Sequence, residues 1–165
     1  MRQWARLIGA CLGLVVAAPA LANSQVQTPD EYAASLARLQ ALDTRVHNSG
    51  WRLAHGNAPF CADTRPAIGL LIQDIMGYNR PGQARAALAM STDFAVQAVA
   101  RGSPAQRAGL TANQPILAIG GVKLSGLVDS AKTTYLRLIT VEAALQSSLG
   151  TNGAAERSVV GRPDT

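Results

Sequence analysis

The stretch Val96-Gln-Ala-Val-Ala-Arg-Gly-Ser-Pro-Ala-Gln-Arg-Ala-Gly-Leu-Thr-Ala-Asn-Gln-Pro-Ile-Leu-Ala-Ile-Gly-Gly121 reads as strand, turn, helix, turn, strand. Val96 and Val99 favour extended chain. Ser103 then stands where its side-chain oxygen caps a helix, and Pro104 takes the first helical position, where a missing N–H costs nothing. Gln106, three residues after Ser103, completes a capping box. Gly109 supplies a left-handed stop and Leu110 packs back on the helix. Asn113-Gln114-Pro115 is a turn, after which Ile116, Leu117 and Ile119 begin a buried strand.

The pattern Val-x-x-Val-x-x-Gly-Ser-Pro-Ala-x-x-Ala-Gly-Leu in this stretch resembles the central signature of PDZ domains in bacterial secreted and periplasmic proteases. That family usually carries Gly-Asp after the Ala-Gly-Leu-x-x, whereas Asn113-Gln114 stand here; Asn tolerates the left-handed conformation, so the turn is kept. The resemblance implies an α+β fold, a small, partly open β-barrel or sheet with two flanking helices. An ordinary strand-turn-helix unit in an unrelated domain is the alternative.

With 165 residues, 48% of them apolar, the chain has room for one domain with a real core plus appendages. Met1–Ala22 has a basic start at Arg2 and Arg6, an apolar run from Leu7 to Ala18, and Ala20-Leu21-Ala22 as a small-x-small cleavage site. It reads as a secretory signal peptide cut before Asn23; the run is shorter than the roughly 20 residues a membrane span needs. Cys11 falls inside it, and the apolar segment before Cys11 is too short for a lipoprotein signal. Removing Arg2 and Arg6 from the 15 basic residues leaves 13 against 10 acidic ones, a charge of +3. With its Arg residues scattered and few aromatics, the chain is not expected to bind nucleic acid.

From Thr28 the chain turns helical: Thr28 caps, Pro29 is the first residue, and Glu31 closes a capping box. Tyr32, Leu39, Val46 and Leu53 recur every seven residues, with Leu36 and Leu42 filling the same face. Such a stripe buries itself against the following domain or against a second copy of the helix, and Gly50 interrupts its end. His47 and His55 have no metal-ligand spacing around them and read as surface or core-edge residues. Cys61, left alone after signal removal, is either a small buried hydrophobe or a thiol whose partner lies on another chain or on a longer version of this protein.

Trp51-Arg-Leu-Ala-His-Gly-Asn-Ala-Pro-Phe-Cys61, with the upstream helix and the downstream PDZ-like motif, is similar to the N-terminal half of secreted M48-class metallopeptidases that carry a PDZ module ahead of the catalytic domain. The zinc motif His-Glu-x-x-His of that family is absent, so the resemblance implies a chain without the catalytic half.

In PDZ domains of this type a carboxylate-binding loop would fall at Pro66–Ile72. Ile68-Gly69-Leu70 fits its apolar-Gly-apolar pattern. Successive N–H groups around a Gly form a nest for a terminal carboxylate, and the following strand, Leu70, Leu71 and Ile72, pairs with the ligand backbone. A buried strand entered through a Gly turn is the plain alternative. Gln83–Met90 is a short Ala-rich helix, Phe94–Val99 a strand, and Gly120–Ser130 a loop with one brief apolar stretch. Tyr135–Leu149 is a second amphipathic helix, with Leu138, Val141, Leu145 and Leu149 on one face and Gly150 as its stop. The resemblance makes it the wall of the groove, with Tyr135, Leu138 and Ile139 lining the pocket for the last ligand side chain. As core residues they would look the same.

After that helix the family pattern asks for two strands and only Arg157-Ser158-Val159-Val160 is offered, so the sheet is one C-terminal strand short and has an exposed edge. No nucleophile elbow, phosphate loop, Cys-His signature or metal cluster occurs. The expected organisation is a signal peptide at 1–22, a linker at 23–27, an N-terminal helical segment at 28–60, a PDZ-like domain at 61–160 and a tail at 161–165. The expected function is that of an exported, periplasmic or secreted, non-catalytic module without cofactor or metal, binding the C-terminus or an extended segment of another protein. It has no stable membrane span after cleavage and can dimerise through Tyr32–Leu53 or the sheet edge. A truncated metallopeptidase without its own activity and a helix-mediated assembly module are the alternatives.

Overall fold

The computed structural model describes residues 27–128 and 133–151. The expected signal peptide, the strand at Arg157–Val160 and the tail lie outside them. Helix α1 spans Pro29–Asn57, and its capping box forms as expected: Glu31 N donates to Thr28 Oγ1 at 3.2 Å, and Thr28 N to Glu31 Oε2 at 2.8 Å. It runs through Gly50, because an interior Gly costs only about 1 kcal/mol and does not by itself end a helix. A 3-10 turn at Ala58–Phe60 closes it.

Strands β1 (Leu70–Asp74) and β2 (Phe94–Val99) pair antiparallel. Leu71 faces Ala98 and Ile72 faces Val96, so Gln97 is an extra residue, a β-bulge. The bulge explains why Val96 and Val99, three apart, both reach one core: it places Gln97 and Ala98 together on the opposite face. On its other edge β2 bonds the 113–116 segment, with Asn113 N to Val96 O at 2.8 Å, Val96 N to Gln114 O at 2.9 Å and Ile116 N to Phe94 O at 3.0 Å. β2 is therefore central, and β1 pairs only with β2 among the described residues.

Between these strands, Ile75–Gly77 is a 3-10 turn and α2 spans Pro81–Ala87. α2 ends earlier than the sequence suggests, in a Schellman motif with Ala89 at φ 51°, where Met90 N bonds Arg85 O at 3.0 Å. No Gly marks that stop. Helix α3 (Pro104–Arg107) has Ser103 Oγ accepting from Gln106 N at 3.1 Å, but Gln106 Oε1 accepts from Gly102 N at 2.7 Å rather than from the cap residue. The expected box is thus shifted by one residue. Gly109 at φ 78° ends the helix, and Leu110 N bonds back to Ala105 O at 3.1 Å.

β3 (Ala118–Ile119) and β4 (Val122–Lys123) form a hairpin over Gly120-Gly121, and α4 spans Leu124–Val128. This region is ordered structure where a loop was expected; the two positive-φ glycines suit the tight hairpin turn. The expected strand from Ile116 is correspondingly short: Ile116 and Ile119 are buried while Leu117 is exposed. Helix α5 spans Thr134–Thr151 and passes through Gly150, the residue expected to stop it.

The sheet has a helix on each face. On one, Val141, Leu145 and Leu149 of α5 pack with Ile72, Phe94, Val96 and Ile119. On the other, Tyr32 and Leu36 of α1 meet Leu88, Met90 and Ala95. The architecture is α+β, built on small two-stranded ladders, and it forms no closed barrel among the described residues. The heptad stripe of α1 does not bury itself as a unit: Val46 is 72% and Leu53 65% exposed, with Leu39 and Leu42 also open.

A polar seam joins α1 to the sheet instead. Gln40 Nε2 donates to Asn113 Oδ1 at 2.7 Å and Gln97 Nε2 to Asp43 Oδ2 at 2.6 Å. Gln73 Nε2 donates to the same Asn113 oxygen at 3.0 Å, and Tyr78 Oη donates to Gln73 Oε1 at 2.7 Å. Burial raises the Tyr78 hydroxyl above its ordinary pKa, helped by the nearby Asp43 and Tyr32.

Candidate functional site

Gly69 sits at the entrance to β1 with φ 71°, a left-handed conformation that favours Gly. It is also buried: a Cβ there would stand 2.3 Å from Ser103 Cβ and 2.8 Å from Ser103 Oγ. The carbonyls of this turn are spent inward. Ala100 N donates to Gly69 O at 2.8 Å and Ala105 N to Ile68 O at 2.9 Å, which ties β1 to the signature helix. The amides of Ile68 and Gly69 donate to no acceptor among the described residues.

Along β1 the faces alternate. Ile68 and Leu70 pack against the same core cluster as Ile72 and Leu138, on the α5 side. Leu71 is half-buried and, by alternation, turns to the α1 side, so only its backbone belongs to the free edge. On α5, Leu138 is half-buried, while Tyr135 is 73% and Ile139 40% exposed.

Sequence reasoning missed what holds α5 in place. Arg137 Nε donates to Asp74 Oδ2 at 2.7 Å, and Arg137 Nη2 reaches Asp93 Oδ2 at 3.0 Å, with the guanidinium 5.0 Å from the Phe94 ring centre. Arg85 donates to the other Asp93 oxygen at 2.5 Å. Asp74 is almost wholly buried, its side chain 2% exposed. Partial burial pushes the Asp93 carboxyl up, but the hydrogen bonds and charges of Arg85 and Arg137 outweigh this and hold it below the usual carboxylate range. Hydrogen bonding to Asp74 strengthens the hold of Arg137 on its proton despite partial burial. No periodicity announces such a clamp: Asp74 ends an apolar strand and Arg137 interrupts an apolar helix.

The clamp decides which ends meet. Arg137 holds the Asp74 end of β1, and Thr134 Oγ1 donates to Met76 O at 3.3 Å just beyond it. Tyr135 therefore stands beside the Asp74 end of the strand, and the Gly69 end falls to the later turns of α5. Leu138 joins Ile68, Leu70 and Ile72 around one cluster; Tyr135 projects into solvent.

Cys61 is exposed, which removes the buried-hydrophobe reading of it. His47 is half-buried with Nε2 out of solvent and unpartnered among the described residues, and His55 lies 6.1 Å from Trp51, ring centre to ring centre. Among the described residues no three His, Cys, Asp or Glu side chains gather as metal ligands, and no helix is long and apolar enough to cross a membrane. No family model, curated protein or solved structure matches the chain.

Proposed function

We propose that this chain is a PDZ-like peptide-binding module of the kind found in exported bacterial proteases, itself non-catalytic, taking the C-terminus of another protein between β1 and α5. The carrying observation is the edge of β1: among the described residues the strand is paired on one side only, and it is entered through the left-handed Gly69 with the amides of Ile68 and Gly69 unspent there. A ligand carboxylate meets those amides and its backbone adds a strand to Leu70–Ile72. Its last side chain lies against the later turns of α5, with Leu138, Ile139 and Tyr135 contacting ligand residues further upstream. Export by the N-terminal segment and descent from a metallopeptidase of the M48 class belong to the same reading and rest on the motifs alone.

Affinity of order micromolar, roughly −8 kcal/mol, is typical of such contacts. Calorimetry with a peptide ending in an apolar residue tests the reading. Charge-assisted hydrogen bonds contribute about 1.5–3 kcal/mol, so amidating the peptide should weaken binding about 10- to 100-fold. N-methylation of a ligand amide that faces β1 should also weaken it. Gly69→Val is a poor probe, because the clash with Ser103 disturbs the fold itself. Equal binding of free-acid and amidated peptides, or no binding to folded protein, refutes the proposal.

A second reading draws on the exposed Leu39, Leu42, Val46 and Leu53 of α1, which suit helix-mediated assembly. Sedimentation decides it: a dimer that Val46→Glu dissociates supports assembly, and a monomer at high concentration removes it.

A further inference from the structure

The face of α1 turned away from the core carries a feature unconnected with the groove. Arg45, Asn48, Ser49, Arg52 and Arg101 line an open concavity of about 480 Å³. Arg101 is delivered there by a tight turn, in which Ser103 N bonds Ala100 O at 3.2 Å and Gly102 takes φ 74°, the conformation a type II turn requires at that position. The turn is tied to the helix, since Arg101 N donates to Asn48 Oδ1 at 2.6 Å. That bond also orients Asn48: its oxygen is occupied, and its Nδ2 donates to no acceptor among the described residues.

Apart from Ser49, the lining side chains thus offer donors that meet no acceptor among the described residues. Ser49 already donates its hydroxyl to Arg45 O at 3.1 Å. None of Arg45, Arg52 and Arg101 pairs with a carboxylate among the described residues. Asp43, two residues before Arg45, is engaged by Gln97 on the other side of the helix. Three guanidinium cations repel one another around one hollow, and an anion between them relieves that repulsion. The fork of each guanidinium matches two oxygens of a tetrahedral oxyanion, and a phosphate dianion has enough oxygens to engage all three.

We propose that Arg45, Arg52 and Arg101, with Asn48 Nδ2, form a binding site for a phosphate group, either of a soluble phosphate compound or of a lipid headgroup. Inorganic pyrophosphate is the first probe, titrated calorimetrically into the full chain at physiological salt. Binding should occur, and Arg45→Gln, Arg52→Gln and Arg101→Gln should each weaken it about tenfold, the loss of one charge-assisted contact. All three side chains are exposed, so melting temperature should stay unchanged and fold loss is separable from site loss. Arg38→Gln, on the same helix but outside the hollow, should change affinity less than twofold. The second arm is cosedimentation with phosphatidylcholine vesicles with and without phosphatidic acid. Retention that needs phosphatidic acid and is lost in the three variants, without pyrophosphate binding, assigns the phosphate to a headgroup. If neither probe binds, or if Arg38→Gln weakens binding as much as the other three, there is no site and only diffuse charge.

Discussion

Helices α1 and α5 carry similar apolar patterns in sequence and meet the sheet in different ways. α5 buries Val141, Leu145 and Leu149 in one row, while α1 buries Tyr32 and Leu36 and leaves Val46 and Leu53 in solvent. Part of the difference is geometric. A strict seven-residue repeat drifts about 20° per heptad on a straight helix, so Leu53 has rotated roughly 60° from Tyr32. The rest is chemical, because Gln40 and Asp43 make the contacts that would otherwise fall to Leu39 and Leu42. An apolar stripe identifies a helix; the partner side chains choose which arc of it is covered.

The largest expected effect strikes the clamp that aims α5. Arg137→Ala leaves the buried Asp74 carboxylate without its cation, and breaking a buried pair this way costs about 3–5 kcal/mol. Denaturant unfolding should show that loss. Replacing Arg137 and Asp74 together with Met and Leu should recover much of it, which a simple packing defect would not allow.

The helix contrast itself can be broken by paired truncations. Leu145→Ala on α5 should cost about 2–5 kcal/mol, and Leu53→Ala on α1 should stay within about 0.5 kcal/mol. Similar losses at both sites in dilute protein would mean that the outer face of α1 is covered.

Asn113→Gly keeps the left-handed backbone at φ 64° and removes the oxygen shared by Gln40 and Gln73. The expected loss is about 1–3 kcal/mol, from the two hydrogen bonds removed, while Gln73 Nε2 keeps Val96 O at 3.1 Å and Gln40 Nε2 keeps Gln97 Oε1 at 3.3 Å. A neutral result would shift the attachment of α1 to Tyr32 and Leu36 and to the Asp43–Gln97 and Asn48–Arg101 bonds.

The smallest effect is one of pH. The Asp93 carboxyl is lowered in the folded state, so its contribution is present above its unfolded pKa and lost as pH falls through the lower folded value. Its side chain is 45% exposed, and solvent screening keeps the contribution under about 1 kcal/mol. Asp93→Asn should remove this part of the acid dependence, and wild-type and variant stabilities should converge at low pH.

How much of this was legible in the sequence depended on whether the signal was local. Thr28, Ser103, Gly109 and Asn113 act through backbone geometry within a few residues, and each forms its expected cap, stop or left-handed turn. Boundaries without a Gly or Pro were invisible, as at Ala89, and so was the bulge at Gln97 that reconciles Val96 with Val99. Asp74, Arg137, Gln40 and Asn113 act across distances in the chain that no periodicity encodes. For the candidate site, Gly69 was readable as a turn, but its packing against Ser103 and the end of β1 at which Tyr135 stands required the fold.

Amide chemical shifts recorded while a free-acid, apolar-ended peptide is titrated into isotope-labelled protein report whether the edge of β1 takes the ligand. The largest saturable changes are expected at the N–H groups of Ile68, Gly69 and Leu70, followed by those of Leu138 and Ile139, with the amidated peptide producing little at Gly69. Saturable binding that leaves those three amides unmoved, or that shifts only the outer face of α1, would contradict binding at that edge.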